Sequence, residues 1–328
     1  MKAAARAHSN IALIKYWGKR DPTLNLPAVG SISVTLAKLQ TISQVQFRED
    51  LIRDKVVING REAETAEAER VSKFLDLVRV KAGLRFFAEV SSRNNFPTGA
   101  GLASSASAFA SLALASSHAA GLKLNGSQLS ILARQGSGSA ARSIFGGFVE
   151  MRVGRKKDGS DCYAVQLQDE NYWDLQMLIA ITSEKKKDVG STPGMEHSAK
   201  TSPYYKEWIR TNRHDLKEMR QAIAEKDFTK LGELTEVSCL KMHSVALSSM
   251  PGIIYWNAAT LECIQHIKEL RHRGCEVYFT IDAGPQVKAI CLSPDIEKVK
   301  TTLENTPGVM RVISSKLGSN ATILENPD

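Results

Sequence analysis

Asn94-Asn95-Phe96-Pro97-Thr98-Gly99-Ala100-Gly101-Leu102-Ala103-Ser104-Ser105-Ala106 joins a strand pattern at Phe86 to Val90 to a run of small residues without one Asp, Glu, Lys or Arg before Lys123. Strand, glycine-containing loop and helix together make an anion site. Free N–H groups and the dipole at a helix start attract phosphate, and glycine lets backbone approach the ligand. Pro97, Gly99, Ala100, Gly101, Leu102, Ala103, Ser104 and Ser105 are therefore candidate phosphate-binding residues, with the Ser104 hydroxyl also a candidate Mg²⁺ ligand. The G-K-[ST] of a Walker loop is absent, and G-A-G-L-A-S is not G-x-G-x-x-G. Read alone, the segment also fits a plain glycine turn before a buried helix. The uncharged run is long enough for a bilayer, but it is Ala- and Ser-rich and lacks Leu/Ile/Val density. A helix packed inside a core is expected, with no membrane partner.

Upstream, Ser31 to Leu36 and Thr41 to Phe47 alternate as two strands, and Val56 to Gly60 is a strand entering an Asn-Gly turn. Glu67 to Lys81 has helical apolar spacing. Downstream, a helix is expected from Ser127 to Ala133 with Ser127 as cap, then a Gly/Ser loop, a strand at Gly147 to Val153 and a buried strand at Trp173 to Thr182. Glu184 to Pro203 is polar and reads as a long loop. In 328 residues, domains of about 150 residues each are expected, with the boundary near 180: one domain at 1–180, the other at 181–328. The second half predicts helices at 203 to 225, 228 to 247 and, capped by Asn257, 257 to 273. Strands Cys275 to Ile281 and Val287 to Leu292, a helix capped near Ser293 and a strand Val309 to Ser314 give the β-β-α-β order of a ferredoxin-like unit. The fold class is α+β.

Three further segments carry chemistry. Gly136-Ser137-Gly138-Ser139-Ala140-Ala141-Arg142-Ser143 puts hydroxyls and a guanidinium between glycines; Arg142 suits a carboxylate or phosphate, and a flexible linker is the alternative. Phe279-Thr280-Ile281-Asp282-Ala283-Gly284-Pro285 ends an apolar strand in a carboxylate that is placed either to take or orient a proton or to satisfy a turn. Asn10 and Lys15-Tyr16-Trp17-Gly18-Lys19-Arg20-Asp21 crowd cations and aromatics in a way that suits a polyanion, or a solvated basic turn over a core Trp.

The 43 Lys and Arg against 35 Asp and Glu leave +8, which favours an anionic partner. Basic residues mostly alternate with acidic ones, so no arm for a nucleic-acid backbone is seen and no nucleic-acid partner is expected. The five cysteines are scattered without C-x-x-C spacing, against a zinc site and for reduced thiols. No export signal is read near the N-terminus, so a cytoplasmic location is expected.

Taken in order, A-H-S-N-I-A-L-I-K-Y-W-G-K-R-D, N-N-F-P-T-G-A-G-L-A-S-S-A-S-A, G-S-G-S-A-A-R-S-I-F-G-G-F and F-T-I-D-A-G-P resemble the diphosphomevalonate decarboxylase family of the GHMP kinase superfamily. The resemblance runs from residue 7 to about residue 291, and includes Ser191-Thr192-Pro193-Gly194-Met195. It implies an N-terminal ribosomal-protein-S5-like domain and a C-terminal ferredoxin-like domain, with ATP as co-substrate and Mg²⁺. The implied reaction phosphorylates the 3-hydroxyl of mevalonate 5-diphosphate, then releases phosphate and CO₂ to give isopentenyl diphosphate. A 3-kinase or a phosphomevalonate decarboxylase of the same superfamily is the alternative. The resemblance further implies that Asp282 orients or deprotonates the 3-hydroxyl, that Arg142 with Asn10 holds the substrate carboxylate, and that Lys15 belongs with them. Tyr16, Trp17, Gly18, Lys19 and the Ser137, Gly138, Ser139, Ala140, Ala141 loop would take the diphosphate and its neighbours. Ser104 and Ser105 would meet ATP phosphates and Mg²⁺, while Arg70, Ser191, Thr192 and Met195 rest on looser matches. A homodimer is implied as well.

Overall fold

A computed structural model describes residues 2–96, 101–185 and 187–325. The first half runs β1 Lys2–Ile14, β2 Lys19–Asp21, β3 Leu26–Pro27, β4 Ser31–Arg48, β5 Lys55–Ile58, β6 Arg61–Glu62, α1 Thr65–Ala82, β7 Phe87–Asn94, α2 Ser104–Ala119 and α3 Gly126–Gly136. A 3₁₀ helix, Gly138–Ile144, then leads to β8 Phe148–Met151 and β9 Ala164–Gln168. Strand order in the first sheet is β14-β1-β4-β7-β5-β6, where β14 is Thr322–Leu324, and β8 pairs β4 and β9.

β1 is a strand the sequence did not predict. Its Ala-rich run is buried at almost every position, and a strand buried on both faces shows no two-residue alternation. The two strands expected between Ser31 and Phe47 are one, β4, with an irregular register against β1 between His8 and Asn10. The expected turn closes the β5–β6 hairpin, with Asn59 and Gly60 at φ of 51° and 80°.

The uncharged run is α2, buried against β1 and β4. Two of its inward hydroxyls are matched across the sheet: Ser107 lies 2.7 Å from Thr41 Oγ1, and Ser111 lies 2.7 Å from Ser43 Oγ. Among the described residues no helix is long and apolar enough to cross a membrane. α3 begins before the expected cap: Asn125 Oδ1 accepts from Gln128 N at 3.0 Å, and Gln128 Oε1 accepts from Asn125 N at 2.9 Å. The segment 136–147 is ordered and not a linker: it runs from the end of α3 into the 3₁₀ helix Gly138–Ile144, which buries Arg142.

The second half continues with β10 Leu175–Ile181, α4 Ser191–Thr201, α5 Tyr205–Glu225, α6 Phe228–Leu247, α7 Ala258–His272, β11 Val277–Ile281, β12 Val287–Leu292, α8 Ile296–Glu304 and β13 Arg311–Ser315. The second sheet is antiparallel in the order β11-β12-β10-β13. β10 therefore belongs to it, so the change of sheet falls before residue 175 rather than near 180, and β14 returns to the first sheet against β1. The long loop expected at 184–203 contains α4, whose Pro193 stands in the first turn, where a helix tolerates it. Ile11, Leu13 and Val34 of the first sheet share one apolar cluster with Met177, Ile179 and Ile290 of the second. That core holds the two halves together, and the functional loops gather at its edge.

Candidate active site

β11 is buried throughout and delivers Asp282 to a cavity of about 600 Å³ between the halves. α6 fixes the approach from behind: Ile281 N donates to Cys239 Sγ at 3.2 Å, and His243 Nε2 lies 3.2 Å from Ile281 O. Lys15 arrives from the end of β1, its own N–H donating to Ser238 Oγ at 2.9 Å. The Lys15 Nζ donates to Asp282 Oδ1 at 2.5 Å, and Lys288 Nζ of β12 lies 3.5 Å from Oδ2. Both ammonium groups are buried, at 1% and 0% exposure, while Asp282 keeps 22%, turned to the cavity it lines. Burial pushes the Asp282 carboxyl up, but the charges of Lys15 and Lys288 outweigh it and hold it at about 2. Asp282 is therefore ionised at neutral pH.

Arg142 stands in the same wall, 3% exposed, and among the described residues its hydrogen-bond partners are all neutral. Its Nε and Nη2 donate to Asn10 Oδ1 at 3.2 and 2.9 Å, Nη1 to Ser31 Oγ at 2.6 Å and Nε to Ser33 Oγ at 3.0 Å. Asn10 is oriented in turn by donating to Ser143 Oγ at 2.7 Å and Ser139 O at 3.0 Å. Burial brings Arg142 down to about 10, opposed by Asp282 and Tyr16. Lys187 donates to Ala283 O at 2.7 Å and Ser191 Oγ at 2.8 Å, and burial lowers it to about 8 despite the Asp282 charge. Cations on the wall thus outnumber its carboxylates, Asp282 and Glu67, and a buried excess of positive charge is stabilised by an incoming anion.

Ser105 Oγ lies 3.3 Å from Ser137 Oγ, which lies 3.3 Å from Ser139 Oγ, so the two glycine loops meet through hydroxyls. Gly101, Ala103, Ser104 and Ser105 line the cavity at the start of α2, a helix with no acidic residue in its first turn. Pro97, Gly99 and Ala100 lie outside the described residues. Asn10, Lys15, Tyr16, Trp17, Lys19, Arg70, Ser137, Gly138, Ser139, Arg142, Ser191, Thr192, Met195 and Asp282 all border the same cavity. The Tyr16 hydroxyl and the Trp17 Nε1 are buried without a hydrogen-bond partner among the described residues.

Four expected contacts are not on the wall. Leu102, Ala140 and Ala141 pack into separate apolar clusters; for the two alanines the cause is the 3₁₀ helix, which sends neighbouring side chains to opposite sides. Gly18 is a turn residue at φ 98°, where a side chain would collide with Tyr205. Two residues were missed, Lys187 and Lys288. The signal for Lys288 was a charge inside the apolar strand Val287-Lys288-Ala289-Ile290-Cys291. Val56, Ile58, Val90, Phe109 and Leu112 add an apolar part to the lining, with the Arg70 guanidinium 4.5 Å over the Phe109 ring.

Residues 7–164 match the model of the diphosphomevalonate decarboxylase-like N-terminal domain, and residues 177–322 that of the mevalonate 5-diphosphate decarboxylase C-terminal domain. The chain belongs to the diphosphomevalonate decarboxylase family. The diphosphomevalonate decarboxylase of Debaryomyces hansenii is 39% identical over 303 residues, covering 86% of this chain and 77% of that protein. The crystal structure of mevalonate diphosphate decarboxylase from Staphylococcus aureus is 40% identical, covers 99% of this chain and 98% of that one, and superposes with a TM-score of 0.94. A complex of MDDEF with MVAPP, AMPPCP and magnesium is 38% identical, covers 99% of both chains, and has a TM-score of 0.93. The decarboxylase fold, with its two family domains, is thus the fold of this chain.

Proposed function

We propose that this chain catalyses the ATP-dependent decarboxylation of mevalonate 5-diphosphate to isopentenyl diphosphate, with ADP, phosphate and CO₂ as the other products. The observation that carries this reading is the Asp282 carboxylate held between Lys15 and Lys288, on the same cavity wall as an Arg142 guanidinium whose hydrogen-bond partners among the described residues are all neutral.

The chemistry follows from the charges. A tertiary hydroxyl is a poor leaving group, so the 3-hydroxyl first takes the γ-phosphoryl group of ATP. Asp282, ionised, accepts the hydrogen bond of that hydroxyl, aims its oxygen and takes its proton as the O–P bond forms and the bond from the γ-phosphorus to ADP breaks. When the C3–O bond breaks, phosphate leaves, positive charge grows at C3, and the electrons of the C–CO₂ bond form the alkene. Arg142, held flat by Asn10, Ser31 and Ser33, grips the substrate carboxylate in a two-pronged contact. Tyr16, Lys19, Ser137 and Ser139 hold the diphosphate, with Arg70, Ser191, Thr192 and Met195 around them. Gly101, Ala103, Ser104 and Ser105 receive the ATP phosphates at the start of α2, and the apolar part of the lining suits the base.

The residues present fit Mg²⁺ held largely by substrate oxygens. Among the described residues there is no cluster of three His, Cys, Asp or Glu, and the Ser104 residue on the wall would supply the protein's hydroxyl to a cation that otherwise uses phosphate and water. Bound there, Mg²⁺ would neutralise charge on the phosphates. The family likeness also supports a homodimer. On α6, Val237, Leu240 and Leu247 share one helical face and are 46%, 41% and 43% exposed, a surface that a second copy would cover. Five buried, unpaired thiols support a cytoplasmic location.

The test is a coupled assay with ATP, Mg²⁺ and mevalonate bearing zero, one or two phosphates at C5, scoring ADP and CO₂ separately. Equal ADP and CO₂ with the diphosphate alone is the expected result. ADP without CO₂ would make the chain a 3-kinase, and no ADP would sink the reading.

A further inference from the structure

An ammonium group in the middle of a buried strand needs an account, because taking it out of water costs several kcal/mol unless its donors are matched. Lys288 is 0% exposed, on a strand flanked by β10 and β11. Its Nζ donates to Gly101 O at 2.9 Å and Gln286 O at 3.1 Å, and faces Asp282 Oδ2 at 3.5 Å. One of these partners belongs to the loop that opens α2 in the first half of the molecule, and another is the carboxylate at the end of β11 in the second. The loops are also in direct contact. Gly101 sits at φ 81°, and a Cβ there would fall 3.0 Å from Gly284 Cα.

We propose that Lys288 is a positioning residue for the decarboxylation: it ties the backbone of the phosphate-facing loop at Gly101 to the Asp282 carboxylate, setting the distance between phosphoryl donor and acceptor hydroxyl. This rests on the function proposed above. Lys288 is not on the cavity wall and touches no substrate. Lys15 hydrogen-bonds one oxygen of Asp282, while Lys288 stands 3.5 Å from the other, an ion pair rather than a hydrogen bond, so the two charges together hold the carboxylate plane. Without Lys288 the carboxylate can turn about its remaining ion pair, and the Gly101 carbonyl loses its link across the crevice. A misplacement of about 1 Å between reacting groups costs roughly 100-fold in rate.

Among the described residues, Lys15, Lys288, Arg142 and Lys187 are cations that act on Asp282, and Cys239 and His243 of α6 lie behind it. Burial holds the His243 imidazole neutral, at about 3, and the Cys239 thiol protonated, at about 11. Neither changes charge near neutrality, so removing Lys288 changes the field at Asp282 by one cation and should raise its pKa.

The experiment compares wild type, Lys288→Met and Lys288→Arg for kcat and KM. The unliganded proteins are followed by the carboxyl ¹³C resonance of Asp282 against pH, identified by its loss in Asp282→Asn. Expected for Lys288→Met is a fall in kcat of about 10- to 100-fold with both KM values within about threefold, and an Asp282 midpoint moved to higher pH. Lys288→Arg should restore most of the rate. A Met variant within twofold of wild type overturns the proposal, and so does an equal loss in both variants with an unmoved Asp282 resonance. A wild-type chain that releases no CO₂ overturns the functional reading and this role with it; an active wild type beside an indifferent Met variant overturns the role of Lys288 alone.

Discussion

Lys15 Nζ and Asp282 Oδ1 are 2.5 Å apart although they end strands of different sheets. The pair exists only when the two halves are docked, so the site is assembled by the shared apolar core and not by either loop alone. Asp282→Asn keeps the shape but leaves Lys15 and Lys288 facing a neutral amide. The rate should fall by about 10²- to 10⁴-fold. Asp282 is held at about 2 in the folded chain, below the usual carboxylate value near 3.9. Its ionisation therefore stabilises the fold above about pH 4, and that stability is lost as pH falls towards 2. The melting temperature of the Asn variant should lie below wild type at pH 7, and the gap should narrow on acidification. A gap that does not vary with pH would count against the ion pair.

Arg142 spends three of its five N–H groups on Asn10, Ser31 and Ser33, which leaves one N–H on each terminal nitrogen, together with the charge, for a ligand. Arg142→Lys retains a cation but cannot present two parallel donors, and a buried ammonium loses its proton more readily than a guanidinium. kcat/KM for the diphosphate substrate is expected to drop about 100-fold. Steady-state kinetics checks this, and an unchanged kcat/KM would remove Arg142 from the carboxylate site.

Lys187 adds a pH limit. Burial brings it down to about 8, so the free enzyme loses this cation as pH rises through that value. If the charge serves anion binding, kcat/KM for ATP should decline above about pH 8, and Lys187→Arg should extend the plateau upward because guanidinium stays ionised. The stability sign is the reverse of a paired lysine. The folded pKa is below the unfolded one, so deprotonation relieves the burial cost and the fold gains stability between about pH 8 and 10.4. A kcat/KM profile that stays flat to pH 10 would show that this charge is not used.

Local chemistry was legible where a few adjacent residues carry it. The glycine-serine loop before α2, Arg142 between glycines and Asp282 at a strand end all announce themselves by composition, and the cavity joins them. What stayed hidden depends on distant partners. β1 has no alternation because both its faces are buried. Lys288 reads as an oddity until Gly101 is placed next to it. β10 looks like the end of one domain because nothing local says which sheet it will join. Ala140 and Ala141 share a motif with Ser139, yet only the serine faces the cavity; a motif fixes spacing, while direction comes from the 3₁₀ turn.

The Tyr16 hydroxyl is buried, borders the cavity and has no hydrogen-bond partner among the described residues. Leaving it unmatched costs the unliganded fold roughly 1–3 kcal/mol, a cost that a substrate oxygen would offset on binding. Tyr16→Phe should therefore melt at or above the wild-type temperature while KM for the diphosphate substrate rises about tenfold. Gly138 supports the same phenol by leaving it room, since a Cβ there would fall 2.5 Å from the Tyr16 oxygen. Gly138→Ala should displace the ring, raise KM in the same direction and, unlike Tyr16→Phe, lower stability by about 1–3 kcal/mol through overpacking. In the double variant the KM effect should be less than the product of the two, because both act on one contact. A fully multiplicative KM would mean that Gly138 matters to substrate binding by a route other than Tyr16.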